Sequence, residues 1–128
     1  MKTLFDTNIL IDYIKGVPET RNIFITYPAP MISIVTWIEV MVGVNDMVNQ
    51  ELVKDFFLRF HIVNIDQKIS EITVSLRKQH KIKLPDALIW ASAKAHNATL
   101  ITRNTKDFSE KEPDIYYPYQ PKKCTLDR

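Results

Sequence analysis

The sequence predicts an α/β fold, a central and mostly parallel β-sheet with helices on both faces. Short apolar runs rich in β-branched and aromatic residues recur along the chain, and segments of helical periodicity separate them. Strands alternating with helices form parallel sheets covered on both sides, which gives three layers. The length, 128 residues with 45% hydrophobic content, suits one core, so residues 1–128 are expected to form a single domain.

The first strand is expected at Leu4 and Phe5, followed by a helix carrying Ile9, Leu10, Tyr13 and Ile14. Asp6, Thr7 and Asn8 lie between the two, and each is a capable helix cap. Three caps in a row are redundant, so Thr7 or Asn8 is expected to serve the helix amides and leave Asp6 free. The second strand, 31–35, runs into Thr36-x-x-Glu39, which has the form of a capping box. After Asp46 the side chains Leu52, Val53, Phe56, Phe57 and Phe60 mark a helix, and their spacing suits a core better than a platform for stacking bases. A third strand, 61–65, precedes Asp66 and a helix with Ile69, Ile72, Thr73 and Leu76. The clearest helix opens at Pro85-Asp86, where proline's missing N–H costs nothing and a carboxylate suits the positive end of the dipole. Its run "DALIWASAKAHNA" is small enough to pack closely on the sheet, and Asn97 is placed to end it in a left-handed conformation. Strands at 99–102 and 115–117 complete the sheet, and a tail from about 118 is expected to be loose.

The single cysteine, Cys124, cannot form an internal disulfide, which suits a reducing compartment such as the cytosol. No leader is expected, because Asp6 and Asp12 cut the first apolar run. The most hydrophobic window, "MISIVTWIEVMVGV", is too short to span a bilayer and carries Glu39 in its middle. A net charge of +2 does not by itself identify a polyanionic partner.

The placement of the acids is more informative. Asp6 follows the first strand, Glu39 the second, Asp86 opens the alanine-rich helix, and Asp107 follows the fourth strand. In an open parallel sheet these positions share the edge at which ligands bind, so the four carboxylates are expected to converge. Two like charges ~5 Å apart repel by roughly 3 kcal/mol at an effective dielectric near 20. Protons or a hard divalent cation can neutralise such a cluster, and an all-oxygen donor set selects Mg²⁺ or Mn²⁺. The chemistry that follows is metal-dependent phosphodiester hydrolysis. Each acid alone also has a structural role open to it: Asp6 as a cap, Glu39 in a capping box, Asp86 on a helix dipole and Asp107 in a turn.

With these blocks in place, the chain resembles the PIN-domain family, most closely the VapC-type toxins of prokaryotic toxin–antitoxin pairs. The resemblance rests on "LFDTNILIDYI", on "MISIVTWIEVMVGV" around Glu39, and above all on "KLPDALIWASAKAHNATLITRNTKDF". It implies a PIN-like three-layer fold and a Mg²⁺- or Mn²⁺-dependent endoribonuclease site. Asp6, Glu39, Asp86 and Asp107 match the family's acidic quartet, with Asp6 and Asp86 expected to touch the metal and Glu39 and Asp107 to act directly or through water. Asn8, Thr102 and Asn104 match supporting polar positions. A homodimer and an inhibiting antitoxin of the VapB type are implied as partners. Two positions depart from the pattern: Asn97 stands where glycine commonly ends the helix, and Trp37 beside Glu39 is bulkier than expected.

With the four acids set aside, 17 basic side chains face 11 acidic ones, a balance of +6. Arg103 and Lys106 flank the expected site and are the candidate RNA contacts among the basic residues. His61, His80 and His96 lack metal-ligand spacing and are expected to be structural or surface residues. An aspartyl-phosphate phosphatase also places Asp at a strand end, but it needs a second Asp where Asn8 stands, and a receiver domain needs an adjacent acidic pair. A PIN nuclease of RNA processing outside a toxin–antitoxin pair, or a non-catalytic PIN module binding RNA or protein, is the alternative.

Overall fold

The computed structural model describes residues 2–119. Five parallel strands, β1 (Thr3–Phe5), β2 (Met31–Ser33), β3 (His61–Val63), β4 (Thr99–Ile101) and β5 (Ile115–Tyr116), form one sheet in the order β3-β2-β1-β4-β5. The helices are α1 (Thr7–Ile14), α2 (Ile23–Thr26), α3 (Ile34–Val42), α4 (Met47–Phe57), α5 (Gln67–Gln79) and α6 (Leu84–Ala95). The chain leaves β1 toward β2 on one side and reaches β4 on the other. The order therefore reverses between β1 and β4, where open α/β sheets place their ligands.

Strand alternation divides the interior in two. Leu4, Met31 and Leu100 face a cluster with Ile69 and Leu76 of α5 and Ala87, Trp90 and Ala91 of α6. Their neighbours Phe5, Ile32 and Ile101 face the other side, with Ile9 and Leu10 of α1, Val53 and Phe57 of α4, and Phe60. Both halves of each period are apolar because both faces are covered, as the sequence predicted. Phe60 lies beyond the end of α4, yet its ring packs edge-on against Phe5 and Phe24, so the aromatic group serves the core.

Several boundaries differ from expectation. The second strand ends at Ser33, whose Oγ accepts the Val35 N–H at 3.0 Å and starts α3. Thr36 and Glu39 therefore lie inside α3, and no capping box forms there. The first-turn partner available to Ser33 is Val35, which leaves the Thr36 hydroxyl to bond Thr7 instead. A 3₁₀ turn at Pro18–Thr20 and the four-residue α2 were not foreseen, being too short to show a period. Trp37 is half-buried and packs beside Phe57, which gives the bulky side chain a core role. His80 lies against Trp90, and His61 approaches His96. Pro118 and Tyr119 are described, and Tyr119 bonds to Asp12; the rest of the expected loose tail, with Cys124, lies outside the described residues.

Asn97 adopts φ 52° just beyond α6, the left-handed conformation predicted for it. Its neighbour Ala98 donates its N–H back to the Ala93 carbonyl at 2.9 Å, which closes the helix end. Asn97→Ala is expected to cost about 1 kcal/mol in urea unfolding, and Asn97→Gly to be neutral or slightly stabilising.

Candidate active site

The local sequence builds the site at the ends of β1 and β4. Asp6 stops β1 and caps α1: its backbone is extended, and its Oδ1 accepts the Thr7 N–H at 2.8 Å. The expectation that Thr7 or Asn8 would cap in its place is corrected here. Helical geometry puts the first free amides nearest the residue at the strand exit, and that residue is Asp6. Asp6 is only 3% exposed. Thr102, the first residue past β4, donates its hydroxyl to Asp6 Oδ2 at 2.7 Å, and Asn8 Nδ2 donates to the same oxygen at 3.2 Å. Counting lone pairs, Oδ2 is saturated and Oδ1 keeps one acceptor site.

Glu39 is exposed on α3, and its Oε1 accepts the Thr7 hydroxyl at 2.6 Å. Thr7 thereby joins two acids, capped by one and bonded to the other, and its Oγ1 also lies 2.9 Å from the Thr36 hydroxyl. Asp86 sits in the first turn of α6 and is half-buried. Asn104 and Asp107 form a small polar turn after β4: Asn104 Nδ2 donates to Asp107 Oδ2 at 3.0 Å, and the Asp107 N–H donates to Asn104 Oδ1 at 3.1 Å. Thr102 Oγ1 also accepts the Asn104 N–H at 2.9 Å, which couples that turn to Asp6.

The acids feel one another. Burial, opposed by the three donors and reinforced by the Glu39 charge, pushes Asp6 up to about 6. Asp86 is also pushed up to about 6, by burial first and then by the charges of Asp6, Asp107 and Glu39. A side-chain hydrogen bond shared with Asp107 adds to the rise at Asp86, because it favours the protonated carboxyl. Among the described residues, no three His, Cys, Asp or Glu side chains are close enough together to hold an ion as they stand. Coulomb coupling reaches further than the oxygen–oxygen spacing of a coordination shell. A small hard cation that keeps part of its water fits such a set better than one needing a full protein cage.

Sequence reasoning placed the four acids and Asn8, Thr102 and Asn104 around this edge, and the structure brings them there. Lys106 is exposed on the adjoining turn. Arg103 is paired instead with Asp12, through Nε to Oδ2 at 2.5 Å. The roles of Thr7, Thr36 and Asp12 were missed. Asp12 lies one helical turn after Asn8, a spacing that could have shown it.

Both raised carboxyls bind in the folded state a proton that the unfolded chain releases near pH 4, so without divalent ions stability falls as pH rises from about 4 to 6 and is flat above. Asp86→Asn removes one such group. In EDTA at pH 7.5 it is expected to stabilise the fold by about 1 kcal/mol after discounting for the half-exposed carboxylate, a gain that disappears by pH 4 in thermal melts.

A family model described as PIN domain matches residues 3–112. A search of curated proteins gives no match. Among solved structures, a chain of a toxin–antitoxin complex from Klebsiella pneumoniae is 44% identical with a TM-score of 0.87, over 94% of this chain and 100% of that one. A chain of VapBC2 from Rickettsia felis, bound to a promoter DNA fragment, is 26% identical with a TM-score of 0.73, over 90% and 96% of the two chains. A chain of VapBC-1 from nontypeable Haemophilus influenzae is 25% identical with a TM-score of 0.68, over 84% and 90%. With its parallel sheet, its acids at the reversal of strand order and a family match over most of its length, this chain belongs to the PIN-domain family.

Proposed function

We propose that this protein is a metal-dependent endoribonuclease acting as the toxin of a type II toxin–antitoxin pair. The observation that carries the reading is the coupling of Asp6, Glu39, Asp86 and Asp107 at the carboxyl edge of the sheet, with two of the four held well above the usual carboxylate range. Asp6 and Asp86 hold Mg²⁺ or Mn²⁺, and Glu39 and Asp107 contribute directly or through water. The ion supplies Lewis-acid stabilisation of charge on a phosphodiester and a nucleophile at neutral pH. The protein's own part is preorganisation. The Thr7 amide, Asn8 and Thr102 fix the Asp6 carboxylate, the Thr7 hydroxyl fixes Glu39, and Asn104 fixes Asp107. Exposed Lys106 contacts RNA phosphate beside the pocket, which makes binding salt-dependent.

The partner reading is supported by the toxin–antitoxin complexes among the structural neighbours. A groove of about 650 Å³ runs between the end of α1, the α3–α4 connection and α4, where apolar Ile14, Leu52 and Phe56 alternate with polar Asp46, Asn49 and Arg59. We assign it to an antitoxin of the VapB type. Ile38, Val42, Met47 and Val48 nearby in sequence are exposed, apolar surface of the kind that partners cover, and a homodimer is part of the same proposal. No helix among the described residues is long and apolar enough to cross a membrane.

Purified protein is expected to cleave structured RNA with Mg²⁺ or Mn²⁺ and not with EDTA. Asp6→Asn and Asp86→Asn should each lower the rate by about 100-fold or more. Cleavage that survives EDTA and both substitutions would sink the mechanism, and folded protein that binds RNA without cutting it would favour a non-catalytic module. Leu52→Asp, at a position 61% exposed, should leave the fold intact and weaken co-purification with the antitoxin encoded by an adjacent reading frame by about tenfold or more.

A further inference from the structure

Asp12, Arg103 and Tyr119 form a polar cluster that the proposed chemistry does not use. Asp12 follows Asn8 by four residues on α1, so both lie on the side of the helix facing the segment that leaves β4. Its carboxylate is buried and takes three donors: Arg103 Nε at 2.5 Å and the Tyr119 hydroxyl at 2.6 Å on Oδ2, and Arg103 Nη2 at 3.2 Å on Oδ1. Two parallel bonds from a guanidinium to a buried carboxylate are directional as well as strong. Burial and the Asp12 contact push the Tyr119 phenol far above its ordinary value, so it stays a donor.

The segment this cluster grips is Thr102-Arg103-Asn104. Main-chain bonds fix the base of this segment, from the Asp6 N–H to the Ile101 carbonyl at 2.9 Å and from the Thr102 N–H to the Tyr116 carbonyl at 3.1 Å. Its other ties to the body of α1 are slack: Asn8 Nδ2 to Thr102 Oγ1 and the Arg103 N–H to Asn8 Oδ1 are both 3.4 Å. Contacts of that length contribute little. Yet the 2.7 Å bond from Thr102 to Asp6 and the turn that carries Asp107 depend on where this segment lies. Beyond Thr102, the strong tie to the body of α1 is the Arg103–Asp12 pair, one residue from the bonds that Thr102 and Asn104 make.

We propose that Asp12 and Arg103, closed by Tyr119, are positioning residues whose ion pair holds the β4 exit in register with α1, so that Thr102 orients the Asp6 carboxylate. Arg103 is then committed inward and is not an RNA contact. The inference rests on the metal-nuclease reading for two of its three readouts and stands apart from it in the third.

The test compares the full chain with Asp12→Asn, Arg103→Gln, the double variant and Tyr119→Phe, the last keeping both charges in case the others fold poorly. In metal-free protein, amide exchange at Asn104 and Asp107 should quicken by about five- to tenfold in the first three and by about threefold in Tyr119→Phe. Mn²⁺ affinity by calorimetry and kcat on an RNA hairpin should each fall by about tenfold with KM nearly unchanged, and the double variant should be no worse than the worse single variant. Unchanged exchange at Asn104 and Asp107 in every folded variant overturns the proposal, whether or not the protein binds Mn²⁺ or cuts RNA. So does a raised KM in Arg103→Gln with wild-type kcat and Mn²⁺ affinity, which would make Arg103 a phosphate contact. Loss of metal binding in wild type with exchange still responding would overturn the nuclease reading and leave the positioning role standing.

Discussion

A carboxylate sealed under the end of a parallel sheet, with three others at electrostatic range, is the constraint from which the rest of this edge follows. Asp6 cannot move away from the repulsion, because the same atoms that carry its charge also begin α1. Its neighbours are therefore arranged around it as donors: one main-chain amide, one hydroxyl from the residue just past the strand beside it and one side-chain amide from its own helix. Thr7 and Asn104 do for Glu39 and Asp107 what Thr102 does for Asp6. Asp86 faces the other three from the first turn of α6, and like Asp6 it is held above the usual carboxylate range.

The fold was legible because its signals are periodic. Leu4 and Phe5 already contain both faces of the sheet, one residue for each core, and the same pairing recurs at Met31-Ile32 and Leu100-Ile101. Pro85 and Asn97 marked the two ends of α6 by backbone chemistry that few other residues share. Short elements carried no such signal. Ser33 ended β2 earlier than its β-branched neighbours suggested, and this put the cap of α3 at Ser33 instead of Thr36 while leaving Glu39 at the same edge.

Within the site, residue types were legible and their bonds were not. That four acids share one edge follows from chain order and the handedness of parallel crossovers. Which of Asp6, Thr7 and Asn8 caps the helix is a contest among neighbours with similar propensity, decided by where β1 stops. Thr36 looked like a cap and is a buried partner of Thr7, a contact between residues far apart in sequence that no local pattern announces. Arg103 illustrates the same limit: its sequence neighbours made it look like a hand held out to an anion, whereas Asp12, from the other end of the chain, holds it.

The double employment of Asp6 has a genetic side. Every aspartate codon becomes an asparagine codon by one G-to-A transition at its first base, and asparagine is as good a helix cap as aspartate. A lineage carrying this chain can therefore lose the charge at the heart of the edge in a single step while α1 still starts correctly and the outer faces remain built. Copies of this kind would persist as folded proteins instead of being cleared as misfolded ones, with the outer faces unchanged and only the charge at the edge altered.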